Sequence, residues 1–589
     1  MTDMTDDISP SRAARVLFPM PQPDGTMCYR HNLTSKDRTD LVQLRVDIVN
    51  ALPIVFVPGV MGSNLKSIEK KGPPVWRLNS FYIPTVGEVP AKLALGKFRE
   101  GAGDRQKLLH PDRTEVDPGG NVPTKPAGSI FSNNAKQLEA IYRARRWGEV
   151  GESSYRDFLL MLEDTLNGHR AGKPATEVEA KIAALMASRA ADPADQVWRP
   201  QKDFVASAPD DFHKLRKWFF PVYAFGYNWL QDNAVAAKFL QQRIKKVIAE
   251  NNNAASRCEQ VIVVTHSMGG LVARACQQLD DMKSSIAGIV HGVMPVDGAP
   301  VAYRRCKLGV VEEDYATGVV IGKTGQEVTA VFAQAPGALE LLPTQRYKGG
   351  WLEVRGPDGK TPVQQPLPVS DPYFEIYKRR DRWWALVKEE WLAPKDGAPI
   401  KWNDYVKFIS MAEAFHKQVL AANSYHPNTY AFYGADSKEK TKSFESIVWQ
   451  MKRGKRADDK APTPNDVYGM TAQQVQMDGA NPEYVGWKLS VKAAPQPDGG
   501  VEFSTEASSH WELRADLADG TGDGTVPAQS GRSPVDCAKV RQVFRLSGVE
   551  HEPAYGNKSP IARQVTLYAI SKIALEARVP QGGAVKAKS

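Results

Sequence analysis

A chain of 589 residues is long enough for a large core and for more than one domain-sized unit. With 42% hydrophobic and 24% charged residues it falls outside the disordered classes, and no stretch reaches the about 18 apolar residues that a membrane-spanning helix needs. The net charge of +9 favours an anionic partner such as a phospholipid surface, whereas nucleic acid finds no zinc-ligand spacing, RNP-type motif or basic helical stripe to support it. The five cysteines, Cys28, Cys258, Cys276, Cys306 and Cys537, are scattered and make neither a disulfide framework nor a metal pattern. The opening Met1-Thr-Asp-Met-Thr-Asp-Asp7 is acidic and lacks the apolar run of a secretory signal, so synthesis in the cytoplasm is expected.

Residues 1–50 read as an irregular arm with one short strand or helix over Leu41–Val49. Ile54-Val-Phe-Val57 reads as a buried strand that Pro58-Gly59 ends in a turn. Gly59 and Gly62 allow close approach of backbone to a ligand, which makes the Val60 N–H the first candidate donor to an oxyanion and Met61 the second. Residues 66–215 then form a long insertion, the first part of a cap, with helices expected over Tyr155–Leu166 and Ala180–Ala190. The core resumes with a strand in Pro221–Leu230 and an amphipathic helix whose buried face is Ala237, Leu240, Ile244 and Val247.

The next segment carries the chemistry. Val261 to Val264 are four consecutive β-branched residues, the signature of a strand buried on both faces in a parallel sheet. Leu271, Val272, Ala275 and Leu279 follow at helical spacing. Between them lies Thr265-His-Ser-Met-Gly269, a G-x-S-x-G nucleophile elbow with Thr in the first position. Such a turn lifts the Ser267 hydroxyl out of the sheet, and the helix N-terminus behind it offers the Met268 N–H to a developing oxyanion. A Ser cap on an ordinary strand–turn–helix is the bland alternative.

Another core strand is expected in Ile286–Asp297. Residues 310–425 form the second part of the cap. Trp351, Trp383, Trp384, Trp391 and Trp402 crowd it among many Lys and Arg, a composition that suits either a membrane interface or a self-packed cap. Tyr430–Gly434 returns to the sheet, Lys438–Arg456 is charged, and Tyr484–Glu512 reads as a hairpin turning at Pro497–Gly500. Core segments are thus 51–65, 216–309 and 426–589.

A Ser nucleophile needs a base and an acid that fixes the base's tautomer. Asp523 lies in the Gly-rich Gly522-Asp-Gly-Thr-Val-Pro527, and Asp297 at the end of an earlier core strand is the alternative acid. His551 follows the last strand, Val540–Leu546, and the order Ser267, Asp523, His551 is the chain order in which enzymes with a G-x-S-x-G elbow carry nucleophile, acid and base. His266 adjoins the nucleophile but cannot readily face it, His291 lies within a strand, and His510 precedes the acid motif. A calcium role for the Asp/Gly turn lacks the EF-hand spacing. Ile561–Ala577 reads as an amphipathic helix that closes the sheet.

Val57-Pro-Gly-Val-Met-Gly-Ser-Asn-Leu65, Thr265-His-Ser-Met-Gly269 and Gly522-Asp-Gly-Thr-Val-Pro527 together resemble the lecithin:cholesterol acyltransferase-like branch of the α/β-hydrolases, which also holds phospholipases. The size and long insertions resemble the lipase effectors of bacterial type VI secretion. The resemblance implies an α/β-hydrolase fold with a mostly parallel sheet, and Asp523 as the acid. It implies an ester hydrolase acting on phospholipid at the membrane or periplasm of a target cell, without metal or organic cofactor. It further implies an immunity protein that masks the site or cap, and a secretion carrier or adaptor. An acyltransferase, or a non-catalytic binding protein on the same shell, would be the alternatives.

Overall fold

The β-branched run at 261–264 splits its side chains between two hydrophobic layers. Val261 and Val263 belong to one, Ile262 and Val264 to the other, and all four are fully buried. Ile54–Val57 alternates in the same way, with Val55 and Val57 facing one layer and Ile54 and Phe56 the other. Strands covered on both faces can be apolar at every position, and that is how the two runs come to lie at the centre of a sheet.

The computed structural model describes residues 49–580 apart from 70–71, 78–100, 125–134, 168–196, most of 207–213, 254–255, 311–321, 361, 363–364, 422, 439, 454–463, 472–499 and 505–509, together with the pairs 20–21 and 27–28. The helices expected over Ala180–Ala190 and, save its last residue, the element expected over Leu41–Val49 lie outside these residues.

The central sheet has seven strands: β1 (Ile54–Val57), β2 (Trp198–Pro200), β3 (Val222–Ala224), β4 (Val261–His266), β5 (Ile286–Gly292), β6 (Thr429–Gly434) and β7 (Val540–Leu546). Their order is β3-β1-β4-β5-β6-β7-β2; every pair is parallel except β7 with β2. Helices α1 (Glu152–Asn167), α2 (Asn233–Glu250), α3 (Gly269–Cys276) and α4 (Pro560–Glu576) cover it, α2 and α3 on one face, α1 and α4 on the other. This is the α/β-hydrolase fold. Residues Ala237, Leu240, Ile244 and Val247 form the buried face of α2.

Two features depart from the expected division into core and cap. First, much of 66–215 belongs to the body. Phe158, Leu159 and Leu162 of α1 are buried against the layer that contains Phe56 and Val222, and Trp198–Pro200 pairs with β7, covering a sheet edge that would otherwise expose a row of unpaired peptide groups. Second, the chain leaves the central sheet between β6 and β7. Leu352–Arg355, Ile447–Arg453, His510–Ala515 and Gly500–Ser504 build a separate four-stranded sheet, so part of 426–589 belongs with the second insertion. Gly500–Ser504 pairs antiparallel with His510–Ala515, while the turn expected at Pro497–Gly500 lies, save its last residue, outside the described residues.

Of the two readings open for the cap tryptophans, the self-packed one fits their burial. Trp351, Trp383, Trp384 and Trp391 are at most 5% exposed, and Trp402 is half-buried. Trp383 and Trp384 donate their indole N–H groups to the Val467 and Tyr468 carbonyls at 2.8 Å. The helix at Pro300–Leu308 holds the same segment from below: Tyr303 O–H donates to the Trp384 carbonyl, and Lys307 Nζ donates to those of Trp383 and Ala385. Burial lowers the Lys307 ammonium to about 7. Trp383 and Trp384, buried with their N–H groups satisfied inside the cap, are packing elements, and Trp351 and Trp391 are buried with them.

Candidate active site

β4 ends and α3 begins within three residues, and the turn between them is strained. Ser267 has φ of +51°, the left-handed region that a side chain other than Gly seldom adopts. Its N–H is held by the Gly292 carbonyl of β5 at 2.9 Å. The strained turn brings the Ser267 hydroxyl to the sheet's C-terminal edge, where the loops after β1, β6 and β7 meet.

Ser267 Oγ lies 2.8 Å from His551 Nε2, and His551 Nδ1 lies 2.8 Å from Asp523 Oδ2. Asp523 holds the histidine twice, because its backbone carbonyl also accepts from the His551 N–H at 2.8 Å. Its second carboxylate oxygen is not idle: Oδ1 accepts from the Thr525 and Val526 N–H groups at 3.0 and 2.7 Å. A carboxylate fixed by its own turn leaves one oxygen aimed at the imidazole, so His551 Nδ1 carries the proton and Nε2 is free to accept from Ser267. Ser267 and Asp523 are buried, and the His551 side chain is 13% exposed.

Asp297 is brought elsewhere. Its carboxylate pairs with Arg346 at 2.6 Å, and its N–H donates to Ser530 Oγ. The alternative acid therefore serves an ion pair and makes no contact with His551.

The turn after β1 lies directly against the elbow. A Cβ on Gly59 would stand 2.9 Å from Ser267 Cβ and 3.0 Å from His266 Nδ1, so only glycine permits this approach. The N–H groups of Val60 and Met268, the two expected oxyanion donors, donate to no described residue. Met61, the second candidate, has φ of +63°, and its carbonyl accepts from Trp76 Nε1.

Two residues at the site were not singled out from sequence for a role there. His266 points away from Ser267, into the opposite layer, and its Nε2 lies 2.8 Å from the His551 carbonyl. Its Nδ1 lies 2.9 Å from the hydroxyl of Tyr155, on α1. Burial, then the neighbouring His551, lowers His266 to about 3, so the ring is neutral at working pH. The two-residue period of a strand signals that His266 faces opposite to Thr265, but nothing local pairs it with a residue so distant in the chain. His291 hydrogen-bonds Thr265 Oγ1 at 3.0 Å inside the core, and His510 lies in the separate sheet. Among the described residues, no group of three or more His, Cys, Asp or Glu is placed to hold a metal ion.

Comparison with known proteins adds three findings. The family model of a PGAP1-like alpha/beta domain matches residues 223–313, the span that holds β4, the elbow and β5. A chain of the solved Tle4–Tli4 complex superposes with a TM-score of 0.68 at 27% identity, over 90% of this chain and 99% of that one. A search of curated proteins returns no match.

Proposed function

We propose that this α/β-hydrolase, which resembles the lipase effectors of type VI secretion, is a serine esterase that cleaves carboxylic ester bonds of lipids, phospholipids foremost. The observation that carries the reading is the pair of 2.8 Å contacts joining Ser267 Oγ, His551 and Asp523 beside two unengaged N–H groups. His551 Nε2 takes the Ser267 proton as Oγ attacks the ester carbonyl. The Val60 and Met268 N–H groups hold the oxyanion of the tetrahedral intermediate. His551 then gives its proton to the departing alcohol, leaving an acyl-Ser267, and activates the water that hydrolyses it. Asp523 keeps the imidazole in the required tautomer and stabilises the imidazolium.

The effector role rests on the sequence resemblance and on the likeness to a chain of the Tle4–Tli4 complex. On that basis the producing cell holds an immunity protein that covers the site or cap, and a carrier delivers the enzyme to the membrane or periplasm of a target cell. The net charge of +9 suits an anionic phospholipid surface. The test is product analysis on mixed phospholipid vesicles with wild type and Ser267→Ala. Release of fatty acid and lysophospholipid by the wild type alone is the expected result. Acyl groups recovered on an added alcohol in place of water would make the enzyme an acyltransferase, and no turnover by folded wild type would leave a binding protein.

A further inference from the structure

We propose that Tyr155 and His266 are positioning residues, forming a one-way hydrogen-bond chain that sets the oxyanion loop and the base relative to each other from behind Ser267. The inference rests on the reading of Ser267, Asp523 and His551 as a catalytic triad. The chain has three links: Gly59 N–H to Tyr155 Oη at 3.3 Å, Tyr155 Oη to His266 Nδ1 at 2.9 Å, and His266 Nε2 to the His551 carbonyl at 2.8 Å.

Its direction follows from what each group can do. The His551 carbonyl only accepts, so His266 Nε2 carries the ring proton. A neutral imidazole has one N–H, so Nδ1 accepts and Tyr155 must donate to it. The phenol oxygen then has its lone pairs for the Gly59 N–H. Gly59 immediately precedes Val60, and the His551 carbonyl belongs to the base itself. One end of the chain thus fixes the loop that supplies an oxyanion donor, and the other fixes the residue that moves the proton.

The surroundings are built to keep this geometry. A Cβ on Gly62 would come within 2.7 Å of Tyr155 Oη, so glycine there makes room for the hydroxyl. The Tyr155 ring packs on Phe56 at 4.9 Å between centroids, and the Tyr555 ring lies 5.8 Å from that of His266. Burial raises the Tyr155 phenol and lowers His266 to about 3, so both keep the protonation state that the chain requires. The helix that carries Tyr155 is also tied to the turn after His551: Ser154 Oγ donates to Glu552 Oε1 at 2.7 Å, and Asn557 Nδ2 to Asp157 Oδ2 at 2.8 Å. α1 thus spans the oxyanion loop, the elbow strand and the base loop. A neutral His266, with its ring centroid 5.4 Å from that of His551, also avoids placing a second cation beside the imidazolium formed in each half-reaction.

The test uses the full chain and a soluble p-nitrophenyl ester. Tyr155→Phe keeps the ring and deletes the hydroxyl. His266→Gln keeps an N–H for the His551 carbonyl but places no acceptor where the ring Nδ1 meets the Tyr155 hydroxyl, its single amide group being unable to span both partners as the ring does. Each should lower kcat by about 10- to 100-fold, the scale of slightly misplaced reacting groups, with KM changed less than about twofold. The double variant should cost no more than the worse single, because both cut one chain. Labelling of Ser267 by a fluorophosphonate is followed in parallel. If the wild type is not labelled there, the triad reading itself fails; if it is labelled and both variants keep wild-type kcat, only the positioning role is overturned. A fall in melting temperature with kcat intact would make the pair ordinary core and also overturn it. Should Tyr155→Phe fail to fold, His266→Gln decides alone by the same kcat and KM criterion.

Discussion

Ser267 sits with positive φ at a turn packed against Gly59, and the role of its side chain there is proposed to be chemical. Ser267→Ala should therefore abolish ester turnover with the circular dichroism spectrum unchanged; turnover near wild type would displace Ser267 as nucleophile. Asp523 touches His551 and Asp297 touches Arg346, so the two carboxylates should part sharply on substitution. Asp523→Asn should lose on the order of 10⁴-fold in kcat through the wrong imidazole tautomer. Asp297→Asn should be far milder, and the reverse ranking would move the acid to the loop after β5. The choice between these acids was open in sequence because each follows a strand. What separates them is the contact of Asp523 Oδ2 with His551 Nδ1, backed by the Asp523 carbonyl that accepts from the His551 N–H, and the Arg346 salt bridge of Asp297; these partners are remote in the chain.

The elements most readily legible in sequence were those whose pattern has one physical solution. A β-branched run followed by a helical period can hardly be anything but a buried strand and its covering helix, and β4 and α3 formed as expected. The amphipathic face of α1 was legible too, but periodicity says that a face is buried and not against what. That is why α1 was assigned to a cap and lies instead behind the elbow. Tryptophan content is ambiguous in the same way, since an indole suits an interface or an interior with a carbonyl in reach, and Trp383 found Val467. At this scale Glu340 offers a test of how α2 is anchored. Its carboxyl accepts from the Asn233 side chain at 2.7 Å at the start of α2 and lies beside Asp232. Burial, then the Asp232 carboxylate, raises Glu340 well above the usual carboxylate range. The unfolded chain releases that proton near pH 4.5 while the folded chain keeps it, so the group's contribution is full below that pH and is lost as pH rises toward the folded value. Glu340→Gln, which needs no proton, should gain stability relative to wild type in urea unfolding at pH 8 compared with pH 5. An equal difference at the two pH values would show that Glu340 is ionised in the fold.

For the whole molecule, the resemblance and the fold agree, and of the two readings that the tryptophan-rich cap allowed, the buried tryptophans fit the self-packed one. With the tryptophans at 351, 383, 384 and 391 already buried, vesicle binding has little to insert from them, and the tryptophan emission maximum should stay fixed when anionic vesicles are added. A blue shift would show that the cap opens and that these rings reach lipid. The proposed cleavage of lipid esters through an acyl-serine at residue 267 does not depend on these rings. The most direct measurement is mass spectrometry of the intact enzyme and its peptides after reaction with a fluorophosphonate. A single adduct is expected on the peptide carrying Ser267, forming far more slowly in His551→Ala. An adduct on another residue, or none on folded and lipid-active enzyme, would contradict it.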